Sequence, residues 1–201
     1  MSVKIAISGD LGSGKSTVGK IIENKKGFRF HSGGMIYRGL AERYDMTPAE
    51  FAKYAEEHPE VDKEIDGELI NLSKLDIDMA IDSRMAWHFV ENSFKVHLLV
   101  DSIVAAKRII DENRGKEQYS SVEEAVEKIR QRKDSETKRY KEKYNVDVND
   151  LENYDLVIDS TYASPEEIYD LIDRKLNLWL NKESFDRSWT NKSGKWEAIR
   201  D

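Results

Sequence analysis

The chain has 201 residues and a formal net charge of −7, from 32 basic and 39 acidic residues. It has no cysteine, which excludes disulfide scaffolds, thiol chemistry and cysteine-type zinc sites, and its acidic balance argues against a general duplex-DNA binder. The length suits one domain that needs no staple, and no apolar run approaches the ~20 residues of a membrane span. Met1-Ser2-Val3-Lys4-Ile5 is interrupted too soon for a signal peptide, so a cytoplasmic protein is expected, with no membrane or nucleic-acid partner.

Val3–Ser8 is a short apolar run ending in glycine, the pattern of a fully buried strand. Ser16–Asn24 follows with Val18, Ile21 and Ile22 at helical spacing. Phe28–His31 predicts a second strand and Met35–Tyr44 a helix. Thr47-Pro48-Ala49-Glu50 is a capping box, so a helix begins there; it breaks near His58-Pro59 and resumes toward Leu75. Ile77–Asp82 and Val96–Val100 are the next strands, each followed by a helical stretch. Ser121-Val122-Glu123-Glu124 opens a charged helix to about Lys143, Asp155–Asp159 is a fifth strand, and Ser164-Pro165-Glu166-Glu167 caps a last helix. Strands separated by helices predict an α/β fold with a parallel sheet. After Leu180 the chain is polar apart from Phe185, Trp189 and Trp196. Those rings are costly to leave in water, which favours docking of the tail, but its polar spacing equally suits a disordered extension.

Gly9-Asp10-Leu11-Gly12-Ser13-Gly14-Lys15-Ser16 fits the P-loop pattern. Its glycines let the backbone aim N–H groups at a phosphate. Lys15 supplies charge to the β- and γ-phosphates, Ser16 offers a hydroxyl to Mg²⁺, and the helix that starts there, with Thr17 in its first turn, adds its dipole. Gly9 to Thr17 is therefore the expected ATP-binding segment. A GTPase is disfavoured, because Asn24-Lys25-Lys26-Gly27 lacks the aspartate of the base-reading motif. Small-molecule kinases fit the chain's size.

Four features favour an acceptor that is itself a phosphate ester. Ser32-Gly33 leads into a helix with Arg38 one turn in, facing the crevice at the carboxyl end of a strand; the bland alternative is a solvated cation. Asp82-Ser83-Arg84 ends the third strand, where Asp82 can hold Mg²⁺ through water and Arg84 an acceptor phosphate; a strand-end ion pair is the alternative. Arg108 and Arg114 bracket the end of the helix after the fourth strand, and the polar residues Gly115–Ser120 that follow have the character of a lid. Lys128–Lys143 carries eight basic against three acidic residues, with Arg132 and Arg139 seven apart on one helix face; alone it reads as a solvated helix. His31, His58, His88 and His97 have no metal-ligand spacing, and His97 reads as a packed histidine.

Ser135-Glu136-Thr137-Lys138-Arg139-Tyr140, then Asp147, then Tyr154-Asp155-Leu156-Val157-Ile158-Asp159-Ser160-Thr161, resembles the archaeal-type cytidylate kinases. Ser32-Gly33 with Tyr37-Arg38, and the run Thr47–Asp66, are similar to that family too. The resemblance implies a P-loop kinase fold with a five-stranded parallel sheet, order 2-3-1-4-5, and helices on both faces. It implies transfer of the ATP γ-phosphoryl group to CMP or dCMP with Mg²⁺. It also implies acceptor binding by Arg38 and Arg84, and arginines for the migrating phosphoryl drawn from Arg108, Arg114, Arg130 and Arg139, with Arg132 beside them. Asp62 and Asp66, one helical turn apart, are candidates to read a cytosine amino group, or else an exposed carboxylate pair. Ser83 stands where the family carries a glycine, and Ala105 and Ala106 where it carries an arginine. The expected organisation is a kinase domain over residues 1–180, an acceptor part near 32–75, a lid near 111–121 and an extension at 181–201, in a monomer or weak homodimer. The alternatives are a kinase for another small acceptor, such as a different nucleotide or dephospho-coenzyme A, and a nucleotide-binding regulator without transfer activity.

Overall fold

A computed structural model of the chain describes residues 2–46, 50–51, 54, 57–58, 60–111, 119 and 121–199, with the side chain of residue 62 also outside the description. The order is β1 (Lys4–Gly9), α1 (Lys15–Lys26), β2 (Arg29–Ser32), α2 (Gly33–Arg43), α3 (Glu60–Lys74), β3 (Met79–Asp82) and α4 (Ala86–Phe89). Then come β4 (Phe94–Leu99), α5 (Ser102–Asp111), α6 (Val122–Tyr144), β5 (Leu156–Asp159), α7 (Pro165–Leu180), β6 (Ser188–Thr190) and β7 (Glu197–Ala198). The predicted order of the first five strands holds: the sheet runs β2-β3-β1-β4-β5-β6-β7, and β1 to β5 pair in parallel. Two further strands, absent from the sequence reading, come from the tail: β6 adds parallel to β5, and β7 turns back antiparallel on β6.

Both faces of the sheet are covered, so its strands read as apolar runs and the period-2 alternation only decides which core each side chain joins. Ile5 and Ile7 of β1 face a core with Val18, Ile22, Phe94, Leu98 and the apolar stripe of α7. Ala6 between them faces Leu40, Phe51, Leu69 and Ile81 on the other side. Phe185, Trp189 and Trp196 of the tail pack against the first core, half-buried. Among the described residues no helix is long and apolar enough to cross a membrane.

Ser164 closes a full capping box with Glu167, and Ser121 accepts the Glu124 N–H at 3.1 Å, as those sequence patterns require. Residues 47–49 of the first capping box and the core of the expected lid, 112–118, lie outside the described residues. Gly9, at the end of β1, has φ 142°, and a Cβ there would sit 2.2 Å from the Leu98 carbonyl oxygen. The P-loop can leave the sheet only because nothing projects at this point. Gly9→Ala is expected to destabilise the fold by on the order of 3 kcal/mol through strain and backbone displacement, read as a lower denaturant midpoint. A midpoint matching the parent protein would show that β4 yields at no cost.

Candidate active site

The connections leaving β1 and β4 run in opposite directions across the sheet, so a crevice opens at the carboxyl ends of these neighbours. The P-loop occupies it. Gly14 caps α1 in the left-handed conformation (φ 88°), and Gly12 (φ 74°) passes so near α5 that a Cβ would lie 2.9 Å from the Ala105 carbonyl oxygen. The same closeness bears on one departure from the family pattern: Ala105 is buried against the loop, and a long side chain there would collide with it.

The Lys15 ammonium turns back into its own loop, donating to the carbonyls of Asp10 (2.6 Å) and Gly9 (3.1 Å). Burial pushes its pKa down to about 8, opposed by the Asp82 carboxylate and reinforced by the Arg84 guanidinium. The Ser16 hydroxyl donates to Asp82 Oδ2 at 2.6 Å, bringing the last residue of β3 against the first turn of α1. The predicted pair Ser16 and Asp82 is thus brought together. Ser13 is buried and its hydroxyl has no partner among the described residues. Asp10 reaches outward, accepting from Lys133 Nζ (2.7 Å) on α6 and from the Val100 N–H (3.3 Å).

α6 closes the crevice with Lys133, Glu136, Thr137 and Tyr140, a single face at helical spacing. They meet Ser8, Gly9, Asp10, Arg84 and His97 around a narrow cavity of about 20 Å³, room for one water. Glu136 divides its carboxylate between two cations, Arg84 Nε (3.0 Å) and Arg132 Nε (3.0 Å). Sequence reasoning passed over Glu136 and Lys133. Their 133-136-137-140 spacing was the available signal, hidden in a helix charged all round.

The remaining predicted residues separate. Ser32 caps α2 by accepting the Met35 N–H, and Gly33 lies against the end of β3, near the Asp82 carbonyl and Ser83. Arg38 is exposed, its guanidinium folded back beside Gly34. Arg108 reaches the P-loop: it donates to the carbonyls of Ser160 (2.9 Å) and Gly12 (3.4 Å). Arg130 is exposed and pairs with Glu127 and Asp134 on its own helix. Arg139 lies over the Tyr140 ring, 5.2 Å from its centre. Asp66 accepts from the Tyr144 hydroxyl and sits 3.6 Å from the Lys143 ammonium, so α3 is tied to the end of α6. Arg114 and the Asp62 side chain lie outside the described residues.

His97 is a packed histidine, buried with its ring 4.4 Å from that of Tyr154. Burial pushes its pKa from 6.5 down to about 4, against the pull of Asp10. The neutral ring suits the fold, so its contribution is full above pH 6.5 and is lost as pH falls toward 4. Over that window His97 is expected to remove up to about 3 kcal/mol of stability. Urea unfolding at pH 7.5 and pH 5 checks this: the His97→Gln variant should lose less between the two than the parent. Equal losses would place the acid sensitivity elsewhere.

A family model described as "Cytidylate kinase-like family" matches residues 4–162. The cytidylate kinase of Pyrococcus abyssi is 37% identical over 169 residues, covering 84% of this chain and 90% of that one. The S-adenosylmethionine-dependent nucleotide dehydratase of Lacinutrix mariniflava is 39% identical over 173 residues, 86% of this chain but 35% of that longer protein. Among solved structures, the shikimate kinase of Bacteroides thetaiotaomicron superposes with a TM-score of 0.59 at 17% identity, covering 89% of this chain and 98% of that one. At that identity the likeness speaks for the fold alone.

Proposed function

This chain belongs to the cytidylate kinase-like family, and from that membership and the geometry of its P-loop we propose that it transfers the γ-phosphoryl group of ATP to CMP or dCMP. One observation carries the reading. Lys15, the Ser16–Asp82 pair and Arg84 come together from α1, β3 and the turn after β3, close enough for Asp82 and Arg84 to act on the Lys15 charge. The P-loop side suits a triphosphate and the β2–β3 side a monophosphate, which sets donor and acceptor in line.

The acceptor's phosphate oxygen is already anionic, so no general base is required. Catalysis is positioning plus neutralisation of charge on the moving group. Lys15 exchanges its bonds to the loop carbonyls for bonds to phosphate oxygens. Ser16 and Asp82 fit Mg²⁺: they are hard oxygen donors 2.6 Å apart, suited to an ion that keeps waters and takes its other ligands from phosphates. When bound, the ion supplies neutralisation of the β- and γ-phosphates. Arg84 and Arg38 take the acceptor phosphate, and Arg132 and Arg139 lie on the helix that faces it. Ser32 and Gly33 shape the acceptor side, with Asp66 further out on α3.

The test is a coupled ADP-release assay over CMP, dCMP, UMP, AMP, GMP and dephospho-coenzyme A. Turnover with CMP or dCMP is expected to lead the panel. A lead by another acceptor would make this a kinase of different specificity. ATP binding without turnover of any of them would make it a nucleotide-binding regulator.

A further inference from the structure

The family match ends at residue 162, yet the chain beyond Leu180 is built onto the edge of the sheet beside β5 and onto the first core. Thr190 of β6 donates its hydroxyl to Asp159 Oδ2 at 3.0 Å, at the end of β5. The other oxygen of that carboxylate accepts the Thr161 N–H at 3.0 Å. Asp159 therefore shapes the 160–162 turn, and Thr190 orients Asp159. From the opposite side Arg108 donates to the Ser160 carbonyl and reaches the Gly12 carbonyl of the P-loop. Asn191, buried at 3% exposure, donates to Glu167 Oε1, the residue that closes the capping box just beyond the turn. The turn is thus held between the tail and the P-loop.

Its place gives this a consequence. Acceptor groups lie on the β2–β3 side of the P-loop, and in-line transfer sets the donor's leaving oxygen opposite the acceptor. The donor nucleoside must then extend to the β5 side, over α5 and the turn after β5. There the turn presents Tyr162, a ring 54% exposed, with the Lys192 ammonium of the tail 5.8 Å above it. We propose that the C-terminal strand pair is a positioning element for the donor nucleotide, with Thr190 setting the 160–162 turn against which the nucleoside of ATP rests. The inference depends on the P-loop being the ATP site, and it assigns the tail a role in donor affinity beyond covering the edge of β5.

Thr190→Val keeps the shape and strand propensity and removes the hydroxyl; Thr190→Ser restores it. Both are made in the full chain. Mg-ATP binding is measured by calorimetry, and KM for ATP and for CMP by ADP release. Thr190→Val is expected to weaken ATP by about 3- to 10-fold, the worth of one hydrogen bond, with KM for CMP within about 2-fold and Thr190→Ser close to the parent. ATP affinity unchanged in Thr190→Val, even with a lowered melting temperature, would reduce the tail to a structural cap. Equal losses for ATP and CMP would mean general loosening and would also overturn the proposal. Failure of the parent enzyme to use CMP would count against the proposed reaction alone, since calorimetry still reads the effect of Thr190 on ATP.

Discussion

Lys15→Ala is expected to lower phosphoryl transfer by at least about 10³-fold while leaving the protein as stable as before, or more so. The two halves of this result share one cause. The ammonium is tucked into the P-loop on two carbonyls, and burial holds its pKa at about 8. A base whose pKa falls on folding binds its proton less well in the folded state. Stability therefore rises with pH from about 8 to the ordinary lysine value of 10.5, and at neutral pH the full cost of the buried charge is present. Alanine removes that cost together with the cation. Loss of activity here would thus come without loss of fold, unlike the core substitutions that abolish activity by unfolding. Melting curves at pH 7 beside single-turnover rates provide the check. Transfer at the parent rate would remove Lys15 from the mechanism. A melting temperature well below the parent's would mean that the lysine's bonds to Gly9 and Asp10 hold the loop together.

How much was legible in the sequence depends on whether the determining contacts are local. The P-loop is readable because its residues act within one turn: Gly14 must be left-handed and Lys15 must begin the helix, whatever else packs nearby. The Ser164 capping box closes over three residues. The first five strands followed from buried apolar runs alternating with helices, and their order from the family resemblance. Glu136, Lys133 and Arg108 were beyond such reading. The Lys133–Asp10 pair joins residues 123 apart, and which face of α6 meets the P-loop is decided by packing, not by any feature of the helix itself. Arg108 meets Gly12, 96 positions earlier, a contact that no local pattern announces. The strands β6 and β7, three and two residues long, are too short for an alternation pattern to register; their pairing comes from the exposed edge of β5.

Arg84→Ala is expected to reduce kcat/KM for the acceptor by roughly 10- to 150-fold, with ATP binding nearly unchanged, and to be the more damaging of two clamp substitutions. The range is that of one charged hydrogen bond, about 1.5–3 kcal/mol. Arg38→Ala should fall at its lower end. Arg38 is exposed beside its own helix terminus and must swing to the phosphate, giving up solvation as it does so. Arg84 is less exposed and already lies at the site: its Nε is 3.0 Å from Glu136 Oε2, a charge contact that keeps the guanidinium near where a dianion would bind. The same contact makes its loss worse than that of a hydrogen bond alone. Without Arg84, an incoming phosphate meets the Asp82 and Glu136 carboxylates with Arg132 as the remaining partner of Glu136. Arg84→Lys should recover only part of the loss, since a single ammonium cannot face the carboxylate and the phosphate through separate edges. Acceptor kinetics beside ATP affinity for the three variants decide the matter. Collapse of ATP binding with acceptor kinetics intact would put both arginines on the donor side and invert the proposed site.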